Sequence, residues 1–302
     1  MDAFYRPVFL TTFFFVSGLF FMNRKVRERR YASKAGDIVM SILVPYLIYW
    51  ILSFSVDSLL KGNYGFAGDL AMRIVEGRKL WFVSALFVTE LMTLAYVAVA
   101  RPGVRGIMAY MAASLAVFLS LPKGDYPWCV NVAFFSNFYF ALGMMVKMYF
   151  ERWQAVLADS RMGWTTVAVY CLLVVADVLW VHDEGQFHGA FANYPFFIFE
   201  SFVGIHACLF VCTKVRLLKR PLMFIGYYSL LYYFFQHQVL LLTQKAGSVV
   251  GIVAPNDAYA VASAVFVAAA LVVPIMLVDR FFPIMAGKVR AESVVGMMRR
   301  RE

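Results

Sequence analysis

The sequence WFVSALFVTELMTLAYVAVA occupies residues 81–100, and RPGVR follows it at residues 101–105. An apolar run of 20 residues is long enough to cross the roughly 30 Å hydrocarbon layer of a bilayer as a single helix. A helix is the expected form because every backbone amide needs a partner inside lipid. The two arginines that follow the run indicate where it reaches a membrane surface.

The rest of the chain repeats this pattern. Nine apolar stretches alternate with short polar gaps, at residues 8–22, 37–60, 81–100, 106–122, 127–146, 163–181, 194–213, 222–243 and 258–278. Together with a hydrophobic content of 62% over 302 residues, they predict an all-α, polytopic transmembrane helix bundle of about nine spans. The longest gap, 61–80, is too short for a separate globular domain, so we expect a single integral membrane domain over residues 1–302.

The basic residues orient these spans. Most of the 28 Lys and Arg residues fall in alternate gaps, at 24–34, 101–105, 147–161 and 214–220, and in the tail at 280–301. The positive-inside rule places those gaps in the cytoplasm. With nine spans, the C-terminus is then cytoplasmic and the N-terminus is outside. Because topology accounts for the net charge of +10, we predict no nucleic-acid partner.

Ionisable side chains at membrane depth are energetically costly, so each needs a partner or a function. The sequence places six within the spans: Asp57, Glu90, Asp177, Glu200, His206 and His237. His237 shares a helical arc with Tyr233 and Gln244 in an otherwise apolar stretch. A histidine there can act as a general base, since its pKa lies near neutrality. A structural hydrogen bond to a neighbouring helix is the alternative.

Two acids within the apolar stretches suggest a second polar site. Asp177 and Glu200 lie on the sixth and seventh stretches, which are joined by an outer loop carrying His182, Asp183, Glu184 and His188. These groups form either an outward-facing cavity for a hydroxyl-rich acceptor or an interhelical hydrogen-bond cluster. Their spacing matches no metal-ligand pattern, so we predict no metal site.

The basic run at 24–34 is the candidate donor site. Guanidinium groups grip phosphate through paired hydrogen bonds, so this run can bind the phosphates of a nucleotide-bearing donor such as an acyl-CoA. Topology alone also accounts for basic residues at this position.

Five segments resemble the acyltransferase 3 family of integral membrane proteins, and they occur in the family's order. They are FFFVSGLFF (13–21), LVPYLIYW (43–50), KLWFVSALFVTELM (79–92), FALGMMV (140–146) and IGYYSLLYYFFQHQVLL (225–241). His237 matches the histidine of the last segment, and Arg27 and Arg30 have the spacing of the family's donor-binding Arg-x-x-Arg. In typical members, however, that pair directly precedes the segment equivalent to 43–50.

The resemblance implies an O-acyltransferase of the bacterial cytoplasmic (inner) membrane. It would move an acetyl or other acyl group from cytoplasmic acyl-CoA, typically acetyl-CoA, to a hydroxyl of a cell-envelope saccharide. The implied roles are polysaccharide modification by O-acetylation, with no bound cofactor and with glycan-synthesis proteins as potential partners.

The sequence begins at what resembles the family's second span. The first span, with the histidine regarded as catalytic, has no counterpart here, so we expect either a truncated start or an inactive member. Two alternatives remain at this stage: a transporter of a small or lipid-linked sugar, and a noncatalytic partner in glycan synthesis.

Overall fold

A computed structural model describes residues 2–61, 66–78, 80–181, 193–215, 219–249 and 257–288. Within these ranges the chain is helical and has no β-strand, which confirms the predicted all-α class. The first helices are α1 (Asp2–Phe21), α2 (Arg24–Arg27), α3 (Tyr31–Ile38), α4 (Val44–Lys61), α5 (Phe66–Glu76), α6 (Trp81–Ala100), α7 (Val104–Ser120) and α8 (Val130–Met148). The later ones are α9 (Phe150–Ala158), α10 (Ser160–Ala176), α11 (Tyr194–Lys214), α12 (Lys219–Tyr227), α13 (Ser229–Val249), α14 (Asp257–Ala270) and α15 (Val272–Phe281).

Three short irregular turns interrupt these helices. A 3₁₀ turn, Pro127–Cys129, precedes α8, and π-helical turns occur at Val39–Leu43 and Asp177–Val181. The first π turn lies just before Pro45, which has no N–H to donate to the carbonyl of Ser41 four residues earlier. The loss of that hydrogen bond is a physical reason for the irregular turn at this point.

Six helices in the described ranges are long and apolar enough to cross a membrane: Tyr31–Ser55, Trp81–Ala100, Pro127–Met148, Ser160–Val181, Tyr194–Lys214 and Ala262–Phe281. Two shorter apolar helices, Pro7–Phe21 and Val104–Ser120, correspond to the first and fourth predicted spans. The total of nine spans, the outside N-terminus and the cytoplasmic C-terminus stay predictions.

The chain divides into two compact units. The first comprises Met1–Ile38 and Gly65–Val215, and the second comprises Val39–Tyr64 and Arg216–Glu302. In the first unit, α1 and α7 pack extensively against α8, and α10 pairs with α11. In the second unit, α13 packs against α14. The single domain over residues 1–302 stays a prediction.

Helices α1 and α8 approach each other at two glycines. A Cβ atom built on Gly18 would lie 1.9 Å from the carbonyl oxygen of Phe140, and one on Gly143 would lie 2.0 Å from that of Phe15. Small residues permit such close contact between helix backbones in membranes, where dispersion replaces the hydrophobic effect as the driving force. The glycines of FFFVSGLFF and FALGMMV therefore have a shared packing role.

Helices α6, α7 and α8 are joined by buried hydrogen bonds. Thr93 Oγ1 donates to Asn137 Oδ1 at 2.9 Å, and Asn137 Nδ2 donates to Ser114 Oγ at 3.0 Å. Thr89 Oγ1 donates to the carbonyl of Ala133 at 3.3 Å. Hydroxyl and amide groups of this kind link helices in lipid, since no water is present to compete for them. The network therefore links α6, α7 and α8 within the first unit.

In the second unit, α4 and α13 meet through aromatic rings. The rings of Tyr49 and Phe234 stack with centroids 4.8 Å apart and planes inclined by 10°. The side chain of Gln238 forms a hydrogen bond with Tyr49, and Trp50 Nε1 donates to Tyr46 Oη at 3.1 Å. The LVPYLIYW segment is thus packed against the helix that carries His237.

Lys288, the last described residue of the second unit, contacts an acid and two aromatic rings. Lys288 Nζ lies 2.7 Å from Asp279 Oδ1 and 4.0 and 3.9 Å from the ring centroids of Tyr227 and Tyr228. Tyr228 Oη donates to Asp279 Oδ2 at 2.7 Å. Partial burial lowers the pKa of Lys288, but hydrogen bonds to Asp279, Tyr228 and Tyr227 outweigh burial and raise it. Cation–π and ionic contacts together hold the ammonium group in place.

Candidate functional site

The basic loop, residues 24–37, begins with a capped helical turn. The side chain of Asn23 accepts a hydrogen bond from the backbone of Val26, which satisfies an N–H group at the start of α2. Helix α2 ends in a Schellman motif, with Arg30 N–H bonded to the Lys25 carbonyl at 2.8 Å and Arg29 N–H bonded to that of Val26 at 3.1 Å. Arg29 has the left-handed conformation that this motif requires, with φ of 60°. The backbone of the loop is therefore well defined.

The predicted donor residues lie on this loop. The side chains of Arg27 and Arg30 are both exposed to solvent. Two exposed guanidinium groups on one short turn can offer several N–H donors to a phosphate. This arrangement is compatible with donor binding, and the assignment stays a prediction.

Three ion pairs shape the basic loop. Arg24 and Glu28 form an exposed pair at 2.5 Å, whose hydrogen bond raises the pKa of Arg24 and lowers the pKa of Glu28. Lys25 Nζ lies 2.6 Å from Asp37 Oδ2, with only 13% and 21% of the two side chains exposed. These two contacts pair the first two basic residues of the loop, Arg24 and Lys25, with carboxylates.

The third pair connects the loop to α6. Lys34 Nζ lies 3.5 Å from Glu90 Oε2, and 12% and 14% of the two side chains are exposed. The ammonium group also lies 4.9 Å from the ring centroid of Phe21. The sequence identified Glu90 as an ionisable group at membrane depth, but its partner is 56 residues away and gave no sequence signal.

The two acids predicted to line an acceptor cavity are buried in the first unit. Glu200 is fully buried on α11, and Asp177 is 4% exposed at the start of the second π turn. Both are close enough to the hydroxyl of Tyr170 to interact with it electrostatically, and Glu200 also interacts with Tyr139. Both acids therefore lie within electrostatic range of one tyrosine on α10. The acceptor cavity itself stays a prediction.

The outer loop that was expected to accompany these acids, with His182, Asp183, Glu184 and His188, lies outside the described residues. Among the residues that the structure does describe, no three His, Cys, Asp or Glu side chains come together as metal ligands.

His237 belongs to α13, and its side chain lies outside the described part of the structure. Its helical neighbours Phe234 and Gln238 are described, and both contact Tyr49 of α4. The backbone position of His237 is thus fixed relative to the LVPYLIYW segment, while its catalytic role stays a prediction.

Comparison with known proteins gives one match. The model of the acyltransferase 3 family, described as an acyltransferase domain, matches residues 4–278. This range contains all five segments that carried the resemblance and every predicted site residue. Neither the curated proteins nor the solved structures match the chain.

Proposed function

The chain belongs to the acyltransferase 3 family, and from this membership we propose that it is a membrane enzyme that transfers an acyl group from acyl-CoA to a saccharide hydroxyl. The single observation that carries the proposal is the family match over residues 4–278 of 302. The apolar helices are in accord with a multi-pass membrane enzyme. We further propose the cytoplasmic membrane of a bacterium as its location, an acetyl group as the usual cargo and a cell-envelope glycan as the acceptor.

The donor is proposed to bind at the basic loop. Coenzyme A carries phosphate groups, and the exposed side chains of Arg27 and Arg30 supply the donors that phosphate prefers. We expect Arg27→Ala together with Arg30→Ala to weaken coenzyme A binding by about tenfold to a hundredfold, since charged hydrogen bonds are lost. Isothermal titration calorimetry on the purified protein measures this affinity. Arg105→Ala, at an exposed arginine outside the loop, is the matched control, and an equal loss in that variant would argue against the assignment.

The chemistry needs a base for the acceptor hydroxyl, and His237 is the proposed group. As it takes the hydroxyl proton, the acceptor oxygen forms an ester bond with the acyl carbon and the carbon–sulfur bond breaks. The proton then passes to the departing thiolate. Asp177 and Glu200 are proposed to bind the acceptor, because carboxylates accept hydrogen bonds from sugar hydroxyls.

The test is transfer of a labelled acetyl group from acetyl-CoA to the glycan fraction in membranes that contain the full chain. His237→Ala is expected to reduce transfer by about a hundredfold or more, the usual range for general-base catalysis. Gln236→Ala, at the exposed adjacent position, is the control. Equal transfer by both variants would remove His237 from the mechanism. Sugar counterflow in proteoliposomes without consumption of acyl-CoA would favour a transporter instead.

A further inference from the structure

The ion pair between Lys34 and Glu90 lies in an unfavourable place for charge. Glu90 is near the middle of Trp81–Ala100, a helix long and apolar enough to span a membrane. Moving two charges out of water is costly, and an apolar pair of similar size often serves stability equally well. Ionisable groups in membrane helices are therefore rare unless they have a function. The role of the Lys34–Glu90 pair is therefore better explained by the segment that it holds in position than by a net gain in folding stability.

The Lys34–Glu90 pair holds one end of the basic loop in place. Lys34 lies one helical turn after Arg30, and its backbone N–H bonds to the Arg30 carbonyl at 3.0 Å. The side chain of Lys34 thus attaches α3, and with it Arg30, to helix α6 through Glu90. A displacement of Lys34 from Glu90 would be transmitted directly to the arginine that is proposed to bind the donor.

The other side of the loop is closed by the second part-buried pair. Lys25 is at the start of α2 and reaches Asp37 on α3 at 2.6 Å. Arg27 and Arg30 lie between the two ends of this contact in sequence. Lys25–Asp37 closes the loop on itself, whereas Lys34–Glu90 attaches the closed loop to the helix bundle of the first unit. Together they leave the arginine side chains on the exposed side.

We infer that Lys34 and Glu90 are positioning residues for the donor site, which hold the basic loop on α6 so that Arg27 and Arg30 face a phosphate-bearing donor. The inference rests on the proposed function, because it takes the loop to be where acyl-CoA binds. Neither residue touches the reacting atoms. The exposed Arg24–Glu28 pair lies in the same loop but bonds only across one helical turn, so it does not contribute to this attachment.

The experiment removes the charge of Glu90 and preserves its size. Glu90→Gln is compared with Glu28→Gln, which makes the same chemical change in the exposed pair of the loop. Neither substitution adds or removes a lysine or arginine, the residues after which trypsin cleaves. Cleavage after Arg24, which is not adjacent to Glu28 or Glu90 in sequence, therefore reports opening of the loop in the purified full chain. Coenzyme A affinity is measured on the same samples by calorimetry, and far-UV circular dichroism checks that the helices are intact.

We expect Glu90→Gln to accelerate cleavage in the loop on the order of a hundredfold, since it leaves the part-buried ammonium group of Lys34 without its carboxylate. Coenzyme A affinity should fall by about tenfold or more, as for loss of one charged hydrogen bond. Glu28→Gln should leave both values close to those of the wild type, because exposed pairs contribute little. Combining Lys34→Glu with Glu90→Lys should restore slow cleavage and much of the affinity.

Unchanged cleavage in Glu90→Gln would overturn the inference, whatever happens to binding. Faster cleavage with unchanged coenzyme A affinity would overturn the link to the donor. A wild-type protein that binds no coenzyme A would instead refute the donor site of the proposed function. The cleavage rates separate that failure from a failure of the ion pair, because they do not depend on any ligand.

Discussion

The contact between α1 and α8 makes a strong prediction about Gly143. An alanine Cβ there would lie 2.0 Å from the carbonyl oxygen of Phe15 and 2.8 Å from the backbone nitrogen of Leu19. Ordinary contact begins at 3.4 Å, so the two helices must separate by roughly 1.4 Å, the difference between 3.4 and 2.0 Å. A gap of this size removes a large part of the dispersion energy along the contact.

We expect Gly143→Ala to lower the free energy of unfolding by about 1–3 kcal/mol, the usual cost of overpacking, and near the upper end because the obstacles are backbone atoms that cannot rotate away. Gly18→Ala should have a similar effect, since its Cβ would lie 1.9 Å from the Phe140 carbonyl oxygen. The double variant should lose less unfolding free energy than the two single variants lose together, because separation of the helices by one methyl group makes room for the other.

Unfolding by sodium dodecyl sulfate in mixed micelles, followed by far-UV circular dichroism, measures these differences. Gly226→Ala is the matched control, because Gly226 also lies within a helix, α12, and a Cβ there meets no atom within 4 Å. The close contact of α1 and α8 would be refuted if the unfolding free energy of Gly143→Ala lay within about 0.5 kcal/mol of that of the control, the range expected for a neutral surface change.

Three further predictions concern other contacts. Gly287→Ala should destabilise the protein by about 1–2 kcal/mol, because Gly287 has φ of 67° and its Cβ would lie 2.4 Å from the Ser41 carbonyl oxygen. An unchanged unfolding free energy in the same detergent titration would contradict this. Asn137→Leu should lower the unfolding free energy by about 1 kcal/mol through loss of its two interhelical hydrogen bonds. A variant as stable as the wild type would count against the network. The pKa of Lys288 is raised above 10.5 and that of Asp279 is lowered below 3.8, so their pairing should stabilise the protein fully between these two pH values. The stabilisation should be lost in strong alkali, where Lys288 releases its proton, and in strong acid, where Asp279 takes one up. The difference in unfolding free energy between wild type and Asp279→Asn should therefore narrow only at these two extremes, and narrowing at neutral pH would exclude this explanation.

The sequence predicted the helical class and the position of most apolar helices. The predicted stretch 81–100 coincides with helix α6, and the stretch 194–213 matches α11 to within one residue. Apolar length and local charge suffice for this, because a helix in lipid satisfies its own hydrogen bonds regardless of its neighbours. The family was also accessible from sequence, since its five segments are local in the chain.

The candidate site was only partly predictable. The sequence marked Glu90 as a costly charge and grouped Lys34 with a basic run, but nothing in either position indicated that the two would meet. The interaction of Tyr170 with Glu200 likewise depends on how α10 packs against α11.

The sequence by itself thus determined that the chain forms apolar helices, where these helices lie and which family the chain belongs to, because these properties depend on residues that are consecutive in the chain. The tertiary structure alone decided which glycines bring α1 and α8 together, which hydroxyls join α6 to α8, and that Lys34 finds its carboxylate on α6. Such contacts join residues far apart in the chain, and their energies depend on distances of a few ångströms that no local pattern specifies.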